Sequence, residues 1–344
     1  MAADVHEVEC GYDPGAGGLP GAGAAPQAPL TRRSPAGEVV LAYLRGQAGE
    51  ISRLGPLVRG DEPDAVHQMR VATRRARSAL QGFGDVIGRD ATRPLCAELR
   101  WLAAALGQAR DTEVLLAALT ADLVAVPPAL VVGPVEARIS AYFTARLAQA
   151  RKTMLDALDG DRYPRLLDEL GALLASPPLT RSAEGKAGKV LARPVRRAGR
   201  RLQRALAAVS GAADRDTAIH QARKAAKRAR YTAEAAAPAL GSAARLQAAQ
   251  AKELQQVLGD HHDSVVARAV LLELAHQARE AREDTFTYGV MHQRQACQAA
   301  AIEQALAHGR DMTGSVPTKR NGPSPAAERP KSGRRSLLPE GLRA

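Results

Sequence analysis

Two segments of the chain combine residue types and spacing that suit anion chemistry. Val66 to Arg77 reads VHQMRVATRRAR and Ile219 to Arg230 reads IHQARKAAKRAR, so in each a histidine is followed three, seven and ten positions later by arginine or lysine. On a helix turning about 100° per residue, His67, Arg70, Arg74 and Arg77 fall within an arc of about 80°, with Met69, Ala72, Ala76, Ala79, Leu80 and Phe83 opposite. His220, Arg223, Lys227 and Arg230 make the same stripe in the second segment, with Lys224 and Tyr231 beside it and Ala222, Ala225, Ala229 and Ala233 opposite. Arg75 and Arg228 lie off the stripes and either flank them or face water. A solvated helix face ordinarily mixes signs, whereas these stripes contain no acid, so their cations repel one another from turn to turn. A bound polyanion relieves that repulsion. The preference for arginine suits phosphate, whose oxygens the planar guanidinium fork engages in pairs.

A third basic run, PVRRAGRRLQRAL, sets Arg197, Arg200, Arg201 and Arg204 at i, i+3, i+4 and i+7 and reads as a further cationic wall. The segments LAAALGQARDTEV (102–114) and LQQVLGDHHDSVV (254–266) each carry a Leu-Gly pair with an aspartate, Asp111 or Asp263, four residues after the glycine. These aspartates either start the next helix or orient a stripe arginine from behind. His67 and His220 read as phosphate-contacting or helix-positioning imidazoles. A metal site needs three or four donors, and neither stripe supplies a spaced histidine pair or a carboxylate. Such an imidazole strengthens anion binding as pH falls through its pKa. His261 and His262 point about 100° apart on a helix and, lacking a third ligand, are expected at the surface.

Helices must position these residues. Between 34 and 309 the chain is rich in Ala, Leu, Arg, Gln and Glu at helical spacing and has few β-branched runs, so the expected class is all-α. Breakers at 60–64, 126–128, 160–164, 175–179, 237–241 and near Gly259 divide it into about eight to ten helices. The basic stripe and the Leu-Gly element recur in the same order at nearly the same separation, which implies a duplicated helical bundle with halves at about 34–175 and 180–309. Residues 1–33, dominated by Gly, Ala and Pro, and 310–344, rich in Pro, Gly, Ser and base, are expected to be disordered.

The formal net charge is +12; the two ends carry −2 and +5, which leaves +9 on residues 34–309 and implies an acidic partner for the body itself. The most apolar stretch, Ala118 to Val135, contains Asp122, Pro127, Pro128 and Pro134, so no membrane span is expected. Acidic Asp4, Glu7 and Glu9 stand where a secretory leader needs basic residues. Three widely spaced cysteines, Cys10, Cys96 and Cys297, fit neither a disulfide framework nor a zinc site. The expected location is therefore cytoplasmic.

The paired HQMRVATRRAR and HQARKAAKRARY segments, each followed by an LGxxxD element, resemble the CHAD domain, the conserved-histidine α-helical domain, over roughly residues 35–308. The resemblance implies two antiparallel helical bundles related by pseudo-twofold symmetry around a basic central cavity. It also implies binding of inorganic polyphosphate and targeting to polyphosphate granules and their components. Carried over by motif, the anion-contacting residues are His67, Arg70, Arg74, Arg75 and Arg77, then His220, Arg223, Lys227, Arg228 and Arg230. Related proteins often begin with a CYTH domain opening on ExExK. Here Glu7 and Glu9 are followed by Gly11, which is similar to a vestige of that opening or is chance, and no triphosphate-processing site can be built from it.

The expected function is non-catalytic polyphosphate binding, without cofactor or metal. The alternative is a general polyanion or nucleic-acid binder, because phosphate contacts alone do not distinguish the polymers. Three Phe, six Tyr and one Trp leave little material for base stacking, and no duplex-recognition motif is evident. An enzyme acting on phosphate esters or anhydrides needs a carboxylate cluster or a P-loop, and the sequence has neither.

Overall fold

The computed structural model describes residues 29–307, which fold as helices joined by short turns. The first run comprises α1 (Ala36–Arg59), α2 (Ala65–Gly82), α3 (Arg89–Val124), α4 (Val135–Asp159) and α5 (Arg162–Ala175). The second comprises the short α6 (Ala187–Val190), then α7 (Ala192–Ala207), α8 (Arg215–Leu240), α9 (Ser242–Glu280) and α10 (Phe286–Ala307). No strand occurs among the described residues, only isolated bridges at Pro35–Lys186 and Ile87–Leu179. The class is all-α.

Neighbours follow chain order in each run: α1 packs on α2, α2 on α3 and α3 on α4, and likewise α7 on α8, α8 on α9 and α9 on α10. The runs meet where α2 packs on α8, α1 on α8, and α3 and α4 on α9. The expected disorder of 1–33 and 310–344 falls mostly outside the described residues. At the end of the first segment the Arg32 carbonyl accepts from the Gly188 N–H, and just after it the Ser34 carbonyl accepts from the Ala187 N–H, which ties the start of the body to α6.

Most expected breaks coincide with helix ends, because proline and glycine act locally. Gly60–Asp64 separates α1 from α2, with Asp61 and Asp64 at φ near +60°, a region aspartate tolerates better than bulkier residues. The 237–241 break falls at Gly241, between α8 and α9, with Pro238 inside the last turn of α8. One expectation is corrected. Gly259 does not break the chain, because α9 runs 39 residues through it.

Apolar burial forms separate clusters. One gathers Leu44, Ile51, Met69, Leu80, Phe83, Leu99, Leu102 and Leu106 of the first run with Ala233, Ala236 and Ala239 of α8. Another joins Leu119, Leu123, Ile139 and Phe143 to Leu271, Leu274, Tyr288 and Met291. On both α3 and α9 the Gly-xxx-Asp segment falls between buried stretches, at Leu106 and Leu119 on one and at Leu258 and Ala267 on the other. The second cluster thus ties the runs together beyond the polar segment. Leu271→Ala, at 0 % exposure, is expected to cost about 2–5 kcal/mol in denaturant unfolding.

Candidate functional site

The alanine faces seat α2 and α8 closely. On α2, Met69, Ala72, Ala76, Ala79 and Leu80 are buried, as are Ala222, Ala226, Ala229 and Ala233 on α8. Ala222, Ala226 and Ala229 pack with Leu202, Ala251 and Leu258 of α7 and α9, apart from the cluster that holds Met69, Ala72, Ala76 and Ala79, so each helix is held from behind by its own run while the basic faces lie in each other's field. Lys227 lies beside Arg74, Arg223 and Arg70, and burial together with those like charges pulls its pKa down to about 7. Arg74 is pushed below its ordinary value by burial and then by Arg70, with Arg223 also contributing.

The Leu-Gly-xxx-Asp elements form the floor. Leu106 and Leu258 are fully buried in the core. The glycine after each leaves room for an arginine: a Cβ built on Gly107 would lie 3.5 Å from Arg70 Nε, and one on Gly259 would lie 3.7 Å from Arg223 Nε. A turn further on, Asp111 accepts from Arg70 Nη2 at 2.7 Å. Asp263 is subject to the charges of Arg223, Asp111 and Lys227; burial is the main cause that raises its carboxyl above the usual range. Both aspartates lie within continuous helices, so the reading as helix starts is corrected. Gly259 lies within α9 against the Arg223 guanidinium. Arg70 and Arg223 Nε are buried and have no hydrogen-bond partner among the described residues. A buried donor left in that state costs about 1–3 kcal/mol.

Histidines edge the cluster. His220 stacks on His262, with ring centroids 5.1 Å apart and planes tilted by 38°. Burial, then Arg223, His220 and Lys227, draws His262 down to about 4. His220 is lowered by burial and by Lys224, Arg223 and Lys227. At the other copy His67 is lowered by burial, against Asp64, and by Arg110, Arg70 and Arg74. Aligning LGQARD on LGDHHD sets Arg110 against His262, so the alignment contained the signal for both residues. The surface placement expected for His261 and His262 is corrected: His262 joins the cationic cluster, and His261 is 1 % exposed.

The structure does not bring every expected residue to this cluster. Arg75 and Arg230 both donate to Glu234, Arg75 Nε at 3.2 Å and Arg230 Nε at 2.6 Å, and so hold α2 against α8 with their charge largely answered. Tyr231 is buried at 5 % exposure beneath Arg74 and Arg230 and is a packing residue. Arg77 and the exposed Arg228 are neighbours, together with Arg100. On α7, Arg200, Arg201 and Arg204 are exposed, while Arg197 lies 3.9 Å from Asp85. The main charges acting on Lys227, Arg74, His220 and His262 come from α2, α3 and α8. The α7 arginines are not among them.

A further group of donors was invisible in sequence because three helices supply it. His261 Nε2 lies 3.1 Å from Glu303 Oε1 and 3.6 Å from Asp216 Oδ1, beside a pocket of about 460 Å³. Three ligand atoms within 4.8 Å could hold a metal ion. The outer carboxylate oxygens are paired, however, with Arg215 at 3.3 Å and Arg268 at 3.8 Å. As drawn, the group is an ion-pair network that fastens α10 to α8 and α9.

The lowered histidine and lysine have a signed consequence. The unfolded chain protonates His262 near 6.5 and the folded one near 4, so its contribution to stability falls as pH drops from 6.5 to 4. Lys227 acts in the same sense between about 7 and 10.5. The melting temperature of the ligand-free protein is therefore expected to rise with pH across both windows. His262→Gln should flatten the lower window and Lys227→Met the upper one.

A model of the CHAD domain family matches residues 42–272. Two curated proteins of Mycobacterium tuberculosis, "Uncharacterized protein MT2285" of strain CDC 1551 / Oshkosh and "Uncharacterized protein Rv2226" of strain ATCC 25618 / H37Rv, are each 41 % identical over 251 residues. The match covers 72 % of this chain and 48 % of theirs, so the chain spans about half the length of these relatives. Among solved structures, PptA from Streptomyces chartreusis superposes with a TM-score of 0.68 at 25 % identity, covering 80 % of this chain and 99 % of that one. The CHAD domain from the plant Ricinus communis gives 0.65 at 29 % identity, covering 83 % and 98 %. The helical order, the twin basic helices and these matches agree: the chain belongs to the CHAD domain family.

Proposed function

We propose that this protein binds inorganic polyphosphate, without catalysis, at the cluster formed by Arg70, Arg74, Arg223 and Lys227 with His67, His220 and His262 at its edges. The observation that carries this reading is the pair of buried guanidinium Nε–H groups on Arg70 and Arg223 that have no acceptor, set among like charges. Folding alone is opposed by that arrangement, and an anion set among these cations relieves their repulsion. Membership of the CHAD family supports a polyphosphate-related role. Asp111 holds Arg70 in place and keeps part of the charge answered in the empty state. No helix among the described residues is long and apolar enough to cross a membrane, and attachment to polyphosphate granules in the cytoplasm is the setting that fits the proposal.

A general polyanion or nucleic-acid binder is the second reading, favoured by the exposed arginines of α7. Titration with long-chain polyphosphate and with single- and double-stranded DNA of matched phosphate count, at ~150 mM salt, separates the two. Polyphosphate is expected to bind more tightly and to raise the melting temperature by mass action. Equal or tighter DNA binding would transfer the function to the outer surface. Arg70→Glu combined with Arg223→Glu is expected to weaken polyphosphate binding far more than deleting residues 310–344, whereas equal losses would move the site to the tail.

Binding should also take up protons near pH 7, because phosphate charge beside Lys227 restores its ammonium form. Calorimetric titration in buffers of different ionisation enthalpy reads this uptake, and Lys227→Met should abolish most of it.

A further inference from the structure

The two copies share a basic stripe but not its counter-charges. Where α2 meets α8, Arg74 and Lys227 occupy the same place in the two copies and are neighbours. To one side stand Arg75 of α2 and Arg230 of α8, joined through Glu234. To the other stand their counterparts with the helices exchanged, Arg77 of α2 and Arg228 of α8. In the register that sets His67 on His220, the residue corresponding to Glu234 is Gln81, which is exposed and uncharged. Arg100 of α3, whose counterpart on α9 in the Leu-Gly register is Lys252, also acts on Arg77. Arg77 Nε is buried without a hydrogen-bond partner among the described residues, and Arg100 and Arg228 are exposed. The Arg75 and Arg230 side chains, by contrast, are only 25 % and 17 % exposed against their shared acid.

An anion chain longer than the central cluster therefore meets unequal surroundings in the two directions. Toward Glu234 it meets a fixed negative charge and two guanidiniums already engaged. Toward Gln81 it meets three guanidiniums with no carboxylate acting on Arg77. We infer that a polyphosphate chain held between α2 and α8 leaves the cluster toward Arg77, Arg100 and Arg228, and that Glu234 closes the opposite side. This rests on the proposed function and deepens it: the cluster grips a short run of phosphates, and the open side adds contacts that only a longer chain reaches.

The test compares tripolyphosphate with long-chain polyphosphate by calorimetric titration of the full chain and three variants. Arg77→Gln with Arg228→Gln should weaken long-chain binding about tenfold or more, the scale of losing charge-assisted hydrogen bonds, and leave tripolyphosphate nearly unchanged. Gln81→Glu places the missing acid on the open side at an exposed position and should reproduce that selective loss in a folded protein. Glu234→Gln should strengthen long-chain binding by freeing Arg75 and Arg230. Equal losses for both ligands in the arginine variant, or no loss in either it or Gln81→Glu, would overturn the open side. Unchanged long-chain affinity in a Glu234→Gln protein that melts normally would overturn the closed one, and if that variant fails to fold, Gln81→Glu decides. Failure of the wild-type protein to bind either phosphate would instead refute the proposed function.

Discussion

Like charge held at close quarters is the constraint on which the rest of the structure depends. At an effective dielectric near 20, two unit charges about 4 Å apart repel by about 4 kcal/mol. Arg70, Arg74, Arg223 and Lys227 lie in one another's field with two aspartates as the nearest answering charge. The helices that carry them cannot be held by their polar faces and must be held from behind. The alanine backs of α2 and α8 and the apolar clusters on either side of the Gly-xxx-Asp segments supply that hold. Leu119, Leu123, Leu271 and Leu274 join the two runs beyond the cluster, so repulsion across it is opposed on both flanks.

Glycine and aspartate complete this device from α3 and α9. A side chain at 107 or 259 larger than methyl would occupy the space of a guanidinium. The aspartate one turn later gives Arg70 a fixed orientation at 2.7 Å without cancelling the cluster's charge. Between the copies the same plan is executed with different bases: Arg74 against Lys227, and Arg110 against His262. At these two positions the second half carries titratable groups where the first carries arginines. Beside these exchanges both halves keep a titratable histidine, His67 in the first and His220 in the second, each lowered by burial and by neighbouring cations.

Counter-charge elsewhere serves assembly. Glu234 joins α2 to α8 through Arg75 and Arg230, and the His261, Asp216 and Glu303 network joins α10 to its neighbours. Adjacent residues on α9 thus take different tasks: His262 faces the cationic cluster, while His261 faces the carboxylates that fasten the last helix. Their side chains leave the helix about 100° apart, enough to separate the two roles by one position.

What the sequence determined by itself was everything governed by the periodicity of a single helix. Met69, Ala72, Ala76, Ala79, Leu80 and Phe83 are buried as the 3.6-residue repeat requires, and the all-α class and most helix ends follow from composition and local breakers. Repetition of the stripe and the Leu-Gly element also pointed to the family. Only the tertiary structure decided which charges meet. That Arg75 and Arg230 share Glu234, that Tyr231 is buried, that His262 belongs to the cluster and that the α7 arginines are not among its main charges depend on the register between helices distant in sequence. Gly259 shows why: a glycine within a helix reads locally as a break, and only the packing of α8 on α9 shows Arg223 lying across it within a continuous helix. Periodicity follows from backbone geometry within a few residues, whereas the pairing of charges follows from the packing of whole helices.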